Sequence, residues 1–331
     1  MAKNHYIGID IGGTKCAAVL GDEFGNILDK AVFLSGKEID PYVILDEFSR
    51  NIKLLISNSN IDIKSIKAIG VSCGGPLDPL RERIINSPNL PLWDDVNIKE
   101  YFTNKFALPL SLQNDANACA VAEWRFGAGK GTQNMLFLTF GTGLGMGLIL
   151  NGRLYTGKND MAGEIGHIRL SDEGPLGHGK KGSFEGYCSG VGIKNLAQMM
   201  IKELWEQNIS VGFCPDEKAF SEITAKSVCQ AAEKSDKTAM MIIDKSAEYL
   251  GRGLSILIDI LNPECIVIGS IFQRAEKLFR VKMEEIIRQE ALPINAEACK
   301  IVPSLLGDSI GDAAALSIAI DIEPINLENR G

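Results

Sequence analysis

The sequence predicts an α/β protein built of two sheet-based lobes. Three observations carry this. Hydrophobic runs of strand length alternate with segments of helical spacing. A strand–glycine turn–strand unit near the N-terminus recurs about half a chain later. The 331 residues exceed what one small core needs, and 45% of them are apolar.

The first unit is "HYIGIDIGGTKCAAVLGDEFGNILDKAVFL". Ile7 and Ile9 mark a strand, Gly12-Gly13-Thr14 a turn, and Ala17 to Leu20 a second strand. A "DEFGN" turn leads to a third strand, "ILDKAVFL". "YVILDEFSRNIKLLISNS" then has helical spacing, and "IKAIGVSC" reads as a buried strand. "LQNDANACA" passes from strand to helix at Asn114 and Asp115, and the alanine-rich helix closes on "FGAG". The second unit is "NMLFLTFGTGLGMGLILNGRLYTG". Met135 to Phe140 and Leu144 to Leu150 are strands around Gly141-Thr142-Gly143, and Asn151-Gly152 makes a hairpin turn. Beyond residue 190 the chain is mostly helical. One long helix stops at Asn262-Pro263, "ECIVIGS" is a strand ending in glycine, and "GDSIGDAAALSIAIDI" opens a last helix.

Composition narrows the function. The formal net charge is −8, so a nucleic-acid backbone is not an expected partner. Eight scattered cysteines form no C-x-x-C pair, which predicts buried free thiols in a reducing cytoplasm. The N-terminus "MAKNHYIGID" has no apolar signal region and no run reaches membrane-spanning length, so a cytoplasmic protein without membrane contact is expected.

Neither a Walker A sequence nor G-x-G-x-x-G is present, since in "GTGLGMG" the last required glycine falls on Met146. Nucleotide binding must rest on the two glycine hairpins. Such turns let backbone N–H groups converge on an anion, with Thr14, Lys15 and Thr142 as added donors. Two hairpins at equivalent strand ends favour a phosphate clamp over two ordinary tight turns. "GVSCG", residues 70–74, matches the nucleophile-elbow pattern around Ser72. An elbow needs a helix straight after its serine, whereas "GGPLDPL" follows here, so a serine hydrolase is disfavoured. Asn114 and Asp115 suit a helix N-cap, and a carboxylate at a strand end can also accept a proton. Glu164 and His167 in "AGEIGHI" read as structural or as ligands.

Taken together, these segments resemble the ROK family of repressors and sugar kinases, within the actin-like and hexokinase-like ATPases. The matching stretches are "DIGGTK" (10–15), "GGPLD" (74–78), "SPNL" (87–90), "NDANACA" (114–120), "GTGLGMGLILNG" (141–152), "AGEIGHI" (162–168), "FEGYCSG" (184–190), "IVIGS" (266–270) and "GDAAAL" (311–316). The resemblance implies two ribonuclease-H-like lobes, residues 1–113 with 312–331 and residues 114–311, around an interlobe cleft. It implies ATP and Mg²⁺ as cofactors, a hexose or N-acetylhexosamine substrate phosphorylated at the 6-hydroxyl, and a homodimer. Asp115 matches the general base. Gly74, Gly75, Asn89, Asn114, Glu164, His167 and Glu185 match sugar ligands. Gly12, Gly13, Thr14, Lys15, Gly141, Thr142 and Gly143 match phosphate hairpins. Gly269 and Ser270 match the adenosine turn, and Asp10 matches a water-mediated Mg²⁺ ligand. Loops 36–40 and 86–93 are expected to select the sugar. A sugar-sensing regulator is the alternative, disfavoured because only nine residues precede Asp10, too few for a helix-turn-helix.

One departure stands out. The family pattern here is C-x-C-G-x-x-G-C-x-E, whose cysteines bind zinc with the histidine of E-x-G-H. Aligned on Glu185, this chain has Leu176, His178 and Ser183 in the three cysteine places. Without thiolates, no structural zinc is expected.

Overall fold

The computed structural model describes residues 4–36, 38–85, 87 and 90–321. Asn89, Lys37, Asn86 and Pro88 lie outside them, as do residues 322–331. The chain divides into two compact units, Met1–Gly131 with Leu154–Ala162 and Asp308–Gly331, and Thr132–Arg153 with Gly163–Gly307.

In the first unit, β1 (His5–Ile11), β2 (Lys15–Asp22) and β3 (Ile27–Leu34) form an antiparallel meander. β4 (Ile66–Cys73) and β5 (Leu110–Asn114) extend it in parallel, in the order β3-β2-β1-β4-β5. β1 and β4 are central and sheltered on both faces, which explains their near-continuous apolar runs. β3 is an edge strand whose exposure alternates along its length, with Asp29, Ala31 and Phe33 on the more sheltered face. Helix α1 (Pro41–Asn58) buries Ile44, Leu45, Phe48 and Ile52 on one stripe. Asp40 caps it by accepting from the Tyr42 amide.

α2 (Asp115–Phe126) follows β5 directly. The first unit therefore runs past the expected break at 113/114. Every residue of α2 from Ala116 to Glu123 is buried, so most of the helix is packed within its unit. Residues 154–162 also rejoin this unit. Arg81 donates from Nε to Asp160 Oδ2 at 3.0 Å, and from Nη2 to Asp160 Oδ1 at 2.7 Å and Thr156 Oγ1 at 3.1 Å.

The second unit repeats the first. β6 (Met135–Phe140) and β7 (Leu144–Leu150) are antiparallel, β8 (Arg153–Tyr155) follows, and β9 (Cys265–Ile268) and β10 (Lys300–Pro303) add in parallel. The order β8-β7-β6-β9-β10 matches the first sheet strand for strand. Its helical additions include α3 (Phe184–Tyr187), α4 (Gly190–Glu206), α5 (Lys237–Leu261) and α6 (Ile271–Glu290). Asp236 caps the start of α5, and Asn262, in the left-handed region at φ 43°, ends it.

The last helix, α7 (Ile310–Ile320), returns to the first sheet. It comes so close that a Cβ on Gly70 would stand 2.3 Å from both the Ala315 carbonyl oxygen and the Ala319 nitrogen. Only glycine in β4 admits this contact.

Candidate active site

In the first unit the candidate residues gather where the strands end. The turn 12–14 joins β1 to β2, and Ser35 fixes it by donating to the Gly12 carbonyl at 2.6 Å. Thr14 and Lys15 are exposed at its tip. Asp10, two residues before the turn, holds its proton up to about pH 6. Burial is the main cause, followed by the charges of Asp115 and Asp312, while Lys30 and Lys15 pull the other way. This places Asp10 and Asp115 within electrostatic reach of each other. It also adds two residues that the sequence reading assigned no role. Asp312, in the first turn of α7, is ion-paired with Lys30 of β3.

Asn114 and Asp115 sit at the junction of β5 and α2. Asn114 is the N-cap, and its side-chain oxygen accepts from the amides of Ala116 at 3.0 Å and Asn117 at 3.4 Å. Its Nδ2 then faces the 74–75 loop, 3.0 Å from where a Cβ on Gly75 would stand. Asp115 is exposed at the first helical position, where the helix dipole favours a negative charge. Asn89 lies outside the described residues.

Ser72 is not an exposed elbow. It lies within β4, opposite Asp10 on one side and Gln113 on the other, and is 1% exposed.

In the second unit, the turn 141–143 joins β6 to β7 as its counterpart joins β1 to β2. The start of α4 ties it down, since the Gly190 amide donates to the Gly141 carbonyl at 2.7 Å. Ser270 lies alongside, its Oγ 3.5 Å from a Cβ placed on Gly141. Ser270 takes φ 56° at the head of α6, and Gly269 precedes it, buried. Glu185 reaches the same hairpin and accepts from the Leu144 amide at 2.9 Å. Gly166 is packed against Glu185 and Leu144, so the 164–167 turn is adjacent. Glu164 and His167 are exposed there, the His167 amide donating to the Glu164 carbonyl at 3.2 Å.

The zinc-loop positions do not fit a zinc ion. The Leu176 side chain offers no donor atom. Ser183 is fully buried, its hydroxyl donating to the Gly177 carbonyl at 3.2 Å and accepting from the Gly186 amide at 3.1 Å. The His167 and His178 rings meet edge to face at 4.6 Å. Cys188, buried at the end of α3, donates its thiol to the Ser246 carbonyl of α5 at 3.5 Å. Ser183 and Cys188 are engaged within the fold, and two imidazoles fall short of a tetrahedral set.

Known proteins place this arrangement. A profile of the ROK family matches residues 6–322. A glucokinase from Halalkalibacterium halodurans is 32% identical over 313 residues, 94% of this chain and 93% of that protein. A ROK family glucokinase from Streptomyces griseus, solved in complex with glucose and AMPPNP, has a TM-score of 0.74. It is 28% identical and covers 96% of this chain and 99% of its own. A xylose repressor from Caldicellulosiruptor bescii is 28% identical over 91% of this chain and 74% of the repressor. The repeated five-stranded sheet, the paired glycine hairpins and a family match over nearly the whole length agree: the chain belongs to the ROK family.

Proposed function

We propose that this protein transfers the γ-phosphoryl group of ATP to a hydroxyl, the 6-hydroxyl, of a hexose or N-acetylhexosamine. The observation that carries this reading is the Asp10–Asp115 pair beside the 12–14 turn. Phosphoryl transfer needs positioning and charge neutralisation more than covalent help. Asp115 takes the proton from the sugar hydroxyl as its oxygen attacks phosphorus. Asn114 Nδ2 and the Gly74–Gly75 loop bind other sugar hydroxyls, and the family pattern adds Asn89, Glu164, His167 and Glu185 to the sugar ligands. Backbone amides of Gly12, Gly13 and Thr14, with Lys15, and of Gly141, Thr142 and Gly143 bind phosphate oxygens. Gly269 and Ser270 bind adenosine.

Mg²⁺ bound to ATP supplies neutralisation of the phosphate charge. Asp10 would hold it through water, and the mutual repulsion of Asp10, Asp115 and Asp312 favours a cation there. The described residues contain no group of three side chains able to ligate a metal directly. Mg²⁺ at phosphoryl-transfer sites is held mostly by phosphate and water.

A homodimer in the cytoplasm is the setting we assign. Among the described residues no helix is long and apolar enough to cross a membrane. The acidic balance argues against nucleic acid. A sugar-sensing regulator, favoured by the repressor relative, would use the same sugar ligands without turnover.

Coupled measurement of ADP release over a panel of hexoses and N-acetylhexosamines separates these readings. Sugar-dependent ATP consumption is expected. Asp115→Asn should keep sugar binding by calorimetry and lose about 10²-fold or more in kcat. No stimulation by any sugar would sink the kinase reading, and near-normal turnover in the variant would remove Asp115 from it.

A further inference from the structure

The loop 166–183 carries His167 and leads into Glu185, yet its metal-binding chemistry is gone. Something else must fix it. α3 is a single short turn resting on α5, and two contacts set its seat. The Phe184 ring lies directly over Gly253, where a Cβ would fall 2.2 Å from the ring. The Tyr187 ring stacks on Tyr249 with centroids 3.5 Å apart and planes 2° from parallel. Lys245 and Arg252 flank Tyr249 at 5.3 and 5.2 Å from its centroid. Ser246 donates to the Tyr187 carbonyl at 2.7 Å.

The Tyr187 hydroxyl then crosses to the loop. It donates to the Glu173 carbonyl at 3.2 Å and meets Ser171 Oγ at 3.0 Å. Ser171 Oγ also donates to the Glu173 carbonyl at 2.6 Å. From this point the loop is knitted by its own backbone. Leu170 donates to the Gly182 carbonyl at 2.8 Å, and Gly182 to the Pro175 carbonyl at 3.1 Å. Lys180 Nζ closes the far side on the His167 carbonyl at 2.6 Å. Burial holds the Tyr187 phenol up to about 12, so it remains a donor at every working pH.

We propose that Tyr187, stacked on Tyr249 and hydrogen-bonded to the 171–173 turn, is the positioning residue that holds Glu185 and the His167 loop in this chain. It takes over the place of a thiolate–metal crosslink. Its effect on sugar binding rests on the kinase reading, whereas its effect on the loop does not.

Tyr187→Phe removes the hydroxyl and keeps the stack. Its KM for sugar should rise at least fivefold, with kcat within threefold and the KM for ATP unchanged. Trypsin, without sugar, should cut after Lys180 and Lys181 at least fivefold faster than in the wild type. Ser171→Ala, which removes the hydroxyl that meets Tyr187 and also bonds the Glu173 carbonyl, should move both readouts in the same direction. A chelator should leave the wild-type cleavage rate unchanged. Wild-type cleavage rates in both variants would overturn the proposal, as would faster cleavage of the wild type on chelation. A wild type without sugar-dependent turnover would sink the kinase reading, and the cleavage comparison would still decide the role of Tyr187.

Discussion

Asp10→Asn should make the protein more stable and less active, and only above a definable pH. The folded chain holds the Asp10 proton to about pH 6, whereas the ordinary value is 3.8. Between those values the folded chain binds more protons than the unfolded one. Stability therefore falls as pH rises from about 4 to about 6, and the loss is complete above that window. The difference corresponds to roughly 3 kcal/mol, at about 1.4 kcal/mol per tenfold. Residual water around the carboxylate makes this a ceiling, and about 1–3 kcal/mol is expected. Asparagine carries no charge to confine. At pH 7.5, without nucleotide or Mg²⁺, the variant should melt roughly 3–10 °C higher. At pH 4 the difference should shrink to a fraction of that. Turnover should fall about 10²-fold, because in the proposed mechanism this charge holds the cation that accompanies ATP. Differential scanning calorimetry at the two pH values, with a coupled assay, measures both effects. A lower Tm at pH 7.5, or an equal gain at both pH values, would refute the reasoning.

Asn114 caps α2 and, in the proposed mechanism, binds sugar, and different substitutions separate the two. Asn114→Ser retains a capping oxygen and should melt near the wild type with a raised sugar KM. Asn114→Ala should show the same KM change and cost about 1 kcal/mol more in urea unfolding; identical stabilities would contradict the capping role. Ser72→Ala should leave kinase turnover within about tenfold, and an esterase activity abolished by it would revive the hydrolase. Burial pushes the thiols of Cys16 and Cys229 up to about 11 and Cys299 to about 12, and holds those of Cys73, Cys119 and Cys188 well above the ordinary value. Little thiolate then exists at pH 8, so Ellman's reagent should label the native protein slowly and all eight thiols after unfolding. Rapid labelling of most thiols in the native state would count against this burial.

The repeated sheet was legible because its signals are local. Strand periodicity and glycine turns are written within about thirty residues, and both meanders form as read. Asn114 as a cap was legible for the same reason. The pairing of Lys30 with Asp312 joins residues 282 apart in sequence, and no periodicity announces it. "GDAAAL" was conspicuous as a motif, but the neighbour that gives Asp312 its charge partner comes from the far end of the chain. The Arg81–Asp160 link was hidden likewise, because it depends on residues 154–162 leaving one unit for the other. Tyr187 was passed over because an aromatic residue in "FEGYCSG" reads as ordinary core. Its importance lies in one hydroxyl and the ring beneath it. Folding brings Glu185 and Gly166 against the backbone of Leu144 beside the second hairpin, a neighbourhood the sequence reading did not state, while Asn89 lies outside the described residues.

The return of α7 to the first sheet sets an order on the life of the nascent chain. Strands β1 to β5 leave the ribosome early, but the face of β4 that Gly70 clears stays bare until residues 310–320 emerge. At about 5–20 residues per second, that wait is on the order of 10 s or more. The second unit, made wholly within the interval, can close first. The unit synthesised first is thus the one finished last, and for that time its apolar sheet is the surface most in need of a chaperone.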